Sequence, residues 1–417
     1  MNALRPTRGG SKLRRWLRAL WRPRRALLFV AASLVTSWIC VAGPGSTQEF
    51  QRERYRDPLT GATAWRLTTD GRDAGVINTQ GDLSSEATAF SPDSRQIVFA
   101  KCCGRGTPTG VYIMDIASGH ASLLARTALW NPYPVFSRDG TEVYFYDRHE
   151  KNVDVIAVNV TTRASRRITR IKNAEWQEKI EVNADGSLLS VHIRVRGVFY
   201  TYVMRPDGMF LPGWDPSPPS GDGAMWNPVH PERLLVRRGS VVRAWNVLEL
   251  SDKSWKWSCE SCDVAHAAWH PNGELYFAGG YVVNARTGER LGGTGIPPIH
   301  PYIHPLDATR GLDARVLADE APWFFKGKGQ PRLYAPTLRE VMRGDFRHRP
   351  VAIHYSSYEK NSSHPHPHWS PDGRFIFFVS DVGSDRDGLP PGQRERGRGG
   401  VDIFLVDANG ERTLGGL

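Results

Sequence analysis

The chain has 417 residues, 40% of them hydrophobic, with 54 Lys and Arg against 43 Asp and Glu. It is too long for one ordinary β-sandwich and too apolar for a disordered protein. Most of the +11 formal charge is carried by the first 25 positions, so the remainder is near neutral and nucleic-acid binding is not indicated.

The N-terminus opens with a basic region, Arg5 to Arg25, followed by an apolar run over residues 26–43 that ends in small residues, Ala42, Gly43 and Gly45. This is the pattern of an export signal or a single membrane anchor. Residues 1–45 are therefore set apart from the fold. Residues 46–417 are expected outside the cytoplasm, periplasmic or secreted, or held at a membrane through residues 26–43. Cys40 falls in this segment, and Cys102 and Cys103 are adjacent. Cys259 and Cys262 form a C-x-x-C, which in an exported domain points to a local disulfide, with zinc and free thiols left open.

A turn signature then recurs along the chain. Phe90-Ser91-Pro92-Asp93-Ser94 precedes an apolar strand, and Phe136-Ser137-Arg138-Asp139-Gly140 and Val182-Asn183-Ala184-Asp185-Gly186 do the same. Further copies are Val229-His230-Pro231-Glu232-Arg233, Trp269-His270-Pro271-Asn272-Gly273 and Trp369-Ser370-Pro371-Asp372-Gly373, with a degenerate one at Ala308-Thr309-Arg310-Gly311. Seven copies at roughly 40–50 residues each predict a seven-bladed β-propeller with four-stranded blades, an all-β fold. Strand-like alternation continues after most signatures, as in Val111 to Gly119 and Val401 to Gly410. No long amphipathic helix appears, although Leu338 to Met342 suits a short one. The longest interval predicts an insertion around residues 322–350, a loop over one face. Gly61 to Thr69 precedes the first signature and is expected to close the ring beside Val401 to Asp407, leaving no open sheet edge.

Counting back four residues from the second turn residue gives Ala87, Tyr133, Lys179 and Trp226 in the first four blades. It gives His266, His304 and His366 in the last three. Equivalent inner-strand positions surround the channel, so three histidines in one register converge there. His364 and Asn361 extend the set. Neutral imidazoles with an amide oxygen suit a divalent metal such as manganese, iron or zinc. His368 is expected on the opposing side of its strand, and no role is assigned to His300, His348 or His354.

With these motifs in place the chain resembles the oligogalacturonate lyase family of seven-bladed, TolB-like propellers over about residues 57–407. Asp57-Pro-Leu-Thr-Gly61-Ala-Thr-Ala-Trp-Arg66-Leu67-Thr68 looks like that family's D-x-x-T-G-x-x-x-x-R-L-T opening. His266 precedes Trp269-His270-Pro271-Asn272-Gly273 as the family's catalytic histidine precedes its turn. His304 lies six residues before Arg310-Gly311, with Ile303 where the family has serine. Asn361-Ser-Ser-His364-Pro-His366-Pro367 resembles Q-x-x-H-x-H-P, with Asn for Gln, and Arg243-Ala244-Trp245 matches an upstream Arg-x-Trp. The family's aromatic H-x-N-x-Y-F-Y-Q stretch has no counterpart. The resemblance implies a monomeric, manganese-dependent lyase that binds an acidic oligosaccharide in the propeller channel and cleaves it by β-elimination. His304, His364, His366 and Asn361 would hold the metal, His266 would take the proton and Arg243 would pair with a carboxylate. The alternative is a non-catalytic TolB-like propeller acting as an envelope interaction protein or scaffold, which has no need of three histidines in one ring position. A serine hydrolase would want a G-x-S-x-G elbow, which is absent.

Overall fold

The computed structural model describes residues 47–49, 52–68, 75–77, 89–102, 110–129, 131–211, 220–238, 244–259, 266–294, 300–319, 331–345, 347, 349–356, 364–380 and 402–408. The N-terminal segment, Cys262 of the expected 259–262 disulfide and residues 82–88, where the aromatic motif is lacking, lie outside them. No helix among the described residues is long and apolar enough to cross a membrane.

Seven antiparallel sheets form the seven blades of a β-propeller; five are meanders of successive strands, Thr47–Glu49 adds to the edge of blade one, and Glu53–Arg56 and Thr63–Arg66 add to the C-terminal strands of blade seven. Blade five is representative: Ala267–Trp269, Leu275–Ala278, Tyr281–Asn284 and Arg290–Gly293 pair in that order. Blade three has three strands, Ala174–Val182, Leu189–Val195 and Val198–Met204, with Phe210 bridging back to Met204. Side chains alternate between the two faces of each strand, and both faces meet a neighbouring blade, so strands such as Phe375–Ser380 are buried throughout. Clusters such as Phe90, Phe99, Tyr112, Phe375, Phe377 and Leu405 fill the space between blades.

The ring closes as the sequence predicted. Thr63–Arg66 pairs with Asp402–Asp407 in blade seven, matching Ala64 to Val406 and Arg66 to Phe404, and Glu53–Arg56 pairs outside it as the edge strand. The opening motif supplies the lock. The buried Arg66 guanidinium pairs with Asp402, whose other oxygen accepts the Thr68 hydroxyl at 2.9 Å. Asp57 accepts Leu59 and Thr60 amides and reaches blade six, accepting the Ile353 amide at 2.8 Å.

The repeat signature is the turn between the first and second strands of each blade. Ser91, Ser137 and Ser370 each accept the amide of the residue five positions on at 2.9 Å, and each donates its hydroxyl to the Asp two residues on. Asn183 does the accepting in blade three. Two turns lie elsewhere than the sequence suggested. Blade four turns at Asn227, whose amide donates to Arg233 and whose side chain accepts the Val229 and His230 amides. Blade six turns at His304, whose amide donates to Arg315 and whose Nδ1 accepts the Leu306 amide. Neither turn ends in glycine, which is why a D-G search passes over them.

Of the stretch 322–350, Arg332–Tyr334 is the third strand of blade six, and Leu338–Met342 is a short helix with a Thr337/Glu340 capping box. Residues 322–330 lie outside the described residues.

Candidate metal centre

From each turn the first two strands run inward together, and the fourth rung of the ladder faces the channel. In blade six the pairs Ile303–Val316 and Tyr302–Leu317 lead to His300 opposite Asp319. In blade five, Trp269–Tyr276, Ala268–Phe277 and Ala267–Ala278 lead to His266. In blade seven, His368–Phe377 leads on to His366. With the blade-six turn placed at His304, counting back four arrives at His300. The count was sound, and the turn had been misplaced by four residues.

Four histidines meet here. The His300 ring lies 4.2 Å from His366, 4.5 Å from His266 and 5.5 Å from His364, between ring centres. One ligand nitrogen from each of His300, His364 and His366 lies within 4.8 Å of the others. Metal–imidazole bonds are about 2.0–2.1 Å, so small ring rotations bring all three onto one ion. His300 is oriented for this. Its Nδ1 donates to Asp319 at 2.6 Å and its amide donates to the other Asp319 oxygen at 2.7 Å. That leaves Nε2 to ligate, the carboxylate–histidine pairing common behind metal-bound imidazoles.

Burial, reinforced by the neighbouring imidazoles, holds His266, His300 and His366 well below the usual histidine range. All three are neutral near pH 7, as ligation and general-base chemistry require. His366 adopts φ 39 directly before Pro367, a conformation that L-residues avoid and that costs about 1–3 kcal/mol. Tyr133, at the same rung of blade two and before Pro134, has φ 48, so the bend belongs to the rung itself.

The residues named from sequence separate into three groups. His266, His364 and His366 come together. Arg243 and Asn361 lie outside the described residues. His304 is not in the cluster and is not a ligand in this arrangement. Its ring packs on Trp369 at 4.5 Å and its Nε2 bonds the Gly373 carbonyl at 3.3 Å. It is a clip between blades six and seven. His270, Asn227 and Asn183 make the same clip, to Gly311, Gly273 and Pro231 respectively. His368 does turn away, packing on Phe377 and accepting the Ala89 amide of blade one. His300 and Asp319 were missed, although the His300 spacing from Pro305 repeats that of His266 from Pro271 and of His366 from Pro371. Arg237, from the second strand of blade four, also acts electrostatically on His266.

No family model matches this sequence, and no curated protein matches it. Solved structures do. An oligogalacturonate lyase in complex with manganese superposes with a TM-score of 0.64 at 17% identity, over 87% of this chain and 97% of that one. An oligogalacturonate lyase from Vibrio parahaemolyticus gives 0.63 at 13% identity, over 88% and 98%. The propeller domain of the trilobed protease from Pyrococcus furiosus gives 0.50 at 12% identity, over 83% and 97%. At these identities the likeness concerns architecture: the chain has the seven-bladed propeller fold that the oligogalacturonate lyases share with other propellers.

Proposed function

We propose that this chain is a divalent-metal-dependent uronide lyase, acting outside the cytoplasm or at a membrane on short acidic oligosaccharides. The observation that carries the proposal is the convergence of His300, His364 and His366 at one point, with Asp319 behind His300 and the neutral His266 at its side. The three imidazoles fit a divalent cation of the manganese, iron or zinc type, and manganese is the choice consistent with the similar fold described above. Such an ion, when bound, supplies Lewis acidity to a substrate carboxylate.

The protein's own groups do the rest. Asp319 fixes the His300 ring and its tautomer. Burial keeps His266 unprotonated at neutral pH, and its Nδ1 is buried without a hydrogen-bond partner among the described residues. That nitrogen is available to take the proton α to the uronate carboxylate. The electron pair left by that proton becomes the ring double bond, and the β carbon–oxygen bond breaks. The leaving oxygen collects a proton, so no water is consumed. The Arg237 cation, near His266, opposes protonation of the ring in the resting state and balances the charge that builds on the substrate.

The test is elemental analysis of the full-length protein beside a His300→Ala/His366→Ala variant, with ultraviolet assays for unsaturated products from di- and trigalacturonate. One equivalent of metal in the wild type, lost in the variant together with activity, is expected. A wild type that takes up no metal, even after incubation with manganese, would overturn the reading and favour an envelope scaffold.

A further inference from the structure

The stretch that carries His364 and His366 is short of backbone donors. Pro365 and Pro367 flank His366 and have no N–H, so the ladder between this stretch and the second strand of blade seven, Phe375–Ser380, lacks donors on one side. Regular pairing begins at His368, opposite Phe377. Inward of that pair the Val379 amide donates to the Pro365 carbonyl at 3.0 Å. Pro365 stands between the two ligands, so this bond holds both in register. In an antiparallel strand the carbonyl of a residue leaves on the same side as its amide. The Val379 carbonyl therefore points to the same edge, where neither proline can donate to it. The Ser356 hydroxyl does so instead, at 2.9 Å.

Ser356 arrives from blade six. Beyond the strand Pro350–Ile353 the chain crosses to blade seven, and the crossing is tied along its length. The Ile353 amide donates to Asp57 at 2.8 Å, the His354 amide to the Pro331 carbonyl at 3.1 Å, and the Ser356 amide to Nδ1 of His354 at 3.1 Å. Tyr355 lies between them at φ 57, a left-handed bend that turns the chain. His354 and Ser356 are both buried. The His354 ring also lies close enough to His300 to act on it electrostatically. The crossing thus borders the cluster on the blade-six side and is bonded to the ligand stretch on the blade-seven side.

We propose that Ser356 is a positioning residue for the metal centre. By holding the Val379 carbonyl it fixes the piece of strand to which Pro365, and with it His364 and His366, is bonded. Metal–ligand distances tolerate only about 0.2 Å, so slack in that strand spoils the convergence of the ligand nitrogens. The proposal rests on the metal-dependent reading above and adds to it a residue from outside the ligand set.

The experiment uses the full-length protein, with manganese affinity measured by chelator competition and cobalt(II) loaded separately as a spectroscopic probe of the coordination geometry. In Ser356→Ala, manganese affinity is expected to fall about tenfold, the low end of the loss typical for outer partners of metal ligands. The visible bands of the cobalt-loaded variant are expected to move. His304→Ala is the control, since it also removes one buried hydrogen bond between blades six and seven and leaves the ligand stretch alone. It is expected to melt about as early as Ser356→Ala while keeping wild-type affinity and bands. Ser356→Ala with wild-type affinity and bands overturns the assignment and leaves the metal centre standing. Equal losses in the two variants trace the effect to general loosening and overturn it as well. A wild type that takes up neither ion overturns the metal-dependent reading, and the positioning role with it.

Discussion

His300 and His304 are four residues apart and do different work, which makes them a direct test of the site. His300→Ala is expected to abolish metal binding and to lose about 1–3 kcal/mol of stability, because it removes the ring hydrogen bond to the buried Asp319. His304→Asn is expected to keep both metal and stability, since Asn183 and Asn227 already make the same clip in other blades. His304→Ala should keep the metal and lose about 1–3 kcal/mol of stability, the usual cost of removing one partner of a buried hydrogen bond. Metal content and urea unfolding, measured side by side, separate these outcomes. Behind His300, Asp319→Asn keeps the shape and removes the charge that fixes the tautomer. Its metal affinity is expected to fall about 10–100-fold, as read by competition with a chelator of known strength.

The blade is the element that matters, and its turn sets where each channel residue stands. Every shift of the turn along the chain shifts the fourth rung equally, so a misplaced turn at Ala308 delivered His304 in place of His300. The glycine that ends the signature is tightly held. Gly373 has φ +68, and a Cβ there would lie 2.5 Å from the His304 ring. Gly61, at φ +72, has nothing within 4 Å. Gly61→Ala should therefore cost only backbone strain, about 1 kcal/mol. Gly373→Ala should cost clearly more and disturb the blade six–seven clip. Urea midpoints of the two variants at equal m-value make the comparison, and equal losses would show that the clip carries no weight.

At the scale of the molecule, the propeller buries histidines that an unfolded chain would expose, and this fixes its response to acid. Burial holds His192 down to about 3 and His304 down to about 4, against about 6.5 when unfolded. Below pH 6.5 the unfolded chain therefore binds more protons than the folded one. Stability is fully present above that pH and is lost as pH falls toward 4. Urea midpoints are expected to drop steadily from pH 7 to pH 4.5, and His192→Gln should flatten that slope. A midpoint independent of pH over this range would contradict it. Closure acts at the same scale. Arg66 and Asp402 join the two ends of the described fold, and Arg66→Ala removes one partner of this buried charge pair, typically a loss of about 3–5 kcal/mol in urea unfolding.

The sequence by itself determined the repeat, the number of blades, the strand that closes the ring and three of the four histidines at the channel. Each of these is written in local patterns: a Ser-x-Asp or His-Pro turn, alternation of apolar residues, and a fixed offset from the turn. Only the tertiary structure decided that His300 rather than His304 joins the cluster, and that Asp319 stands behind it. The reason is that blades four and six turn at Asn227 and His304 rather than at the signature that follows each of them, and the side-chain hydrogen bonds that make those turns appear only once the strands are paired.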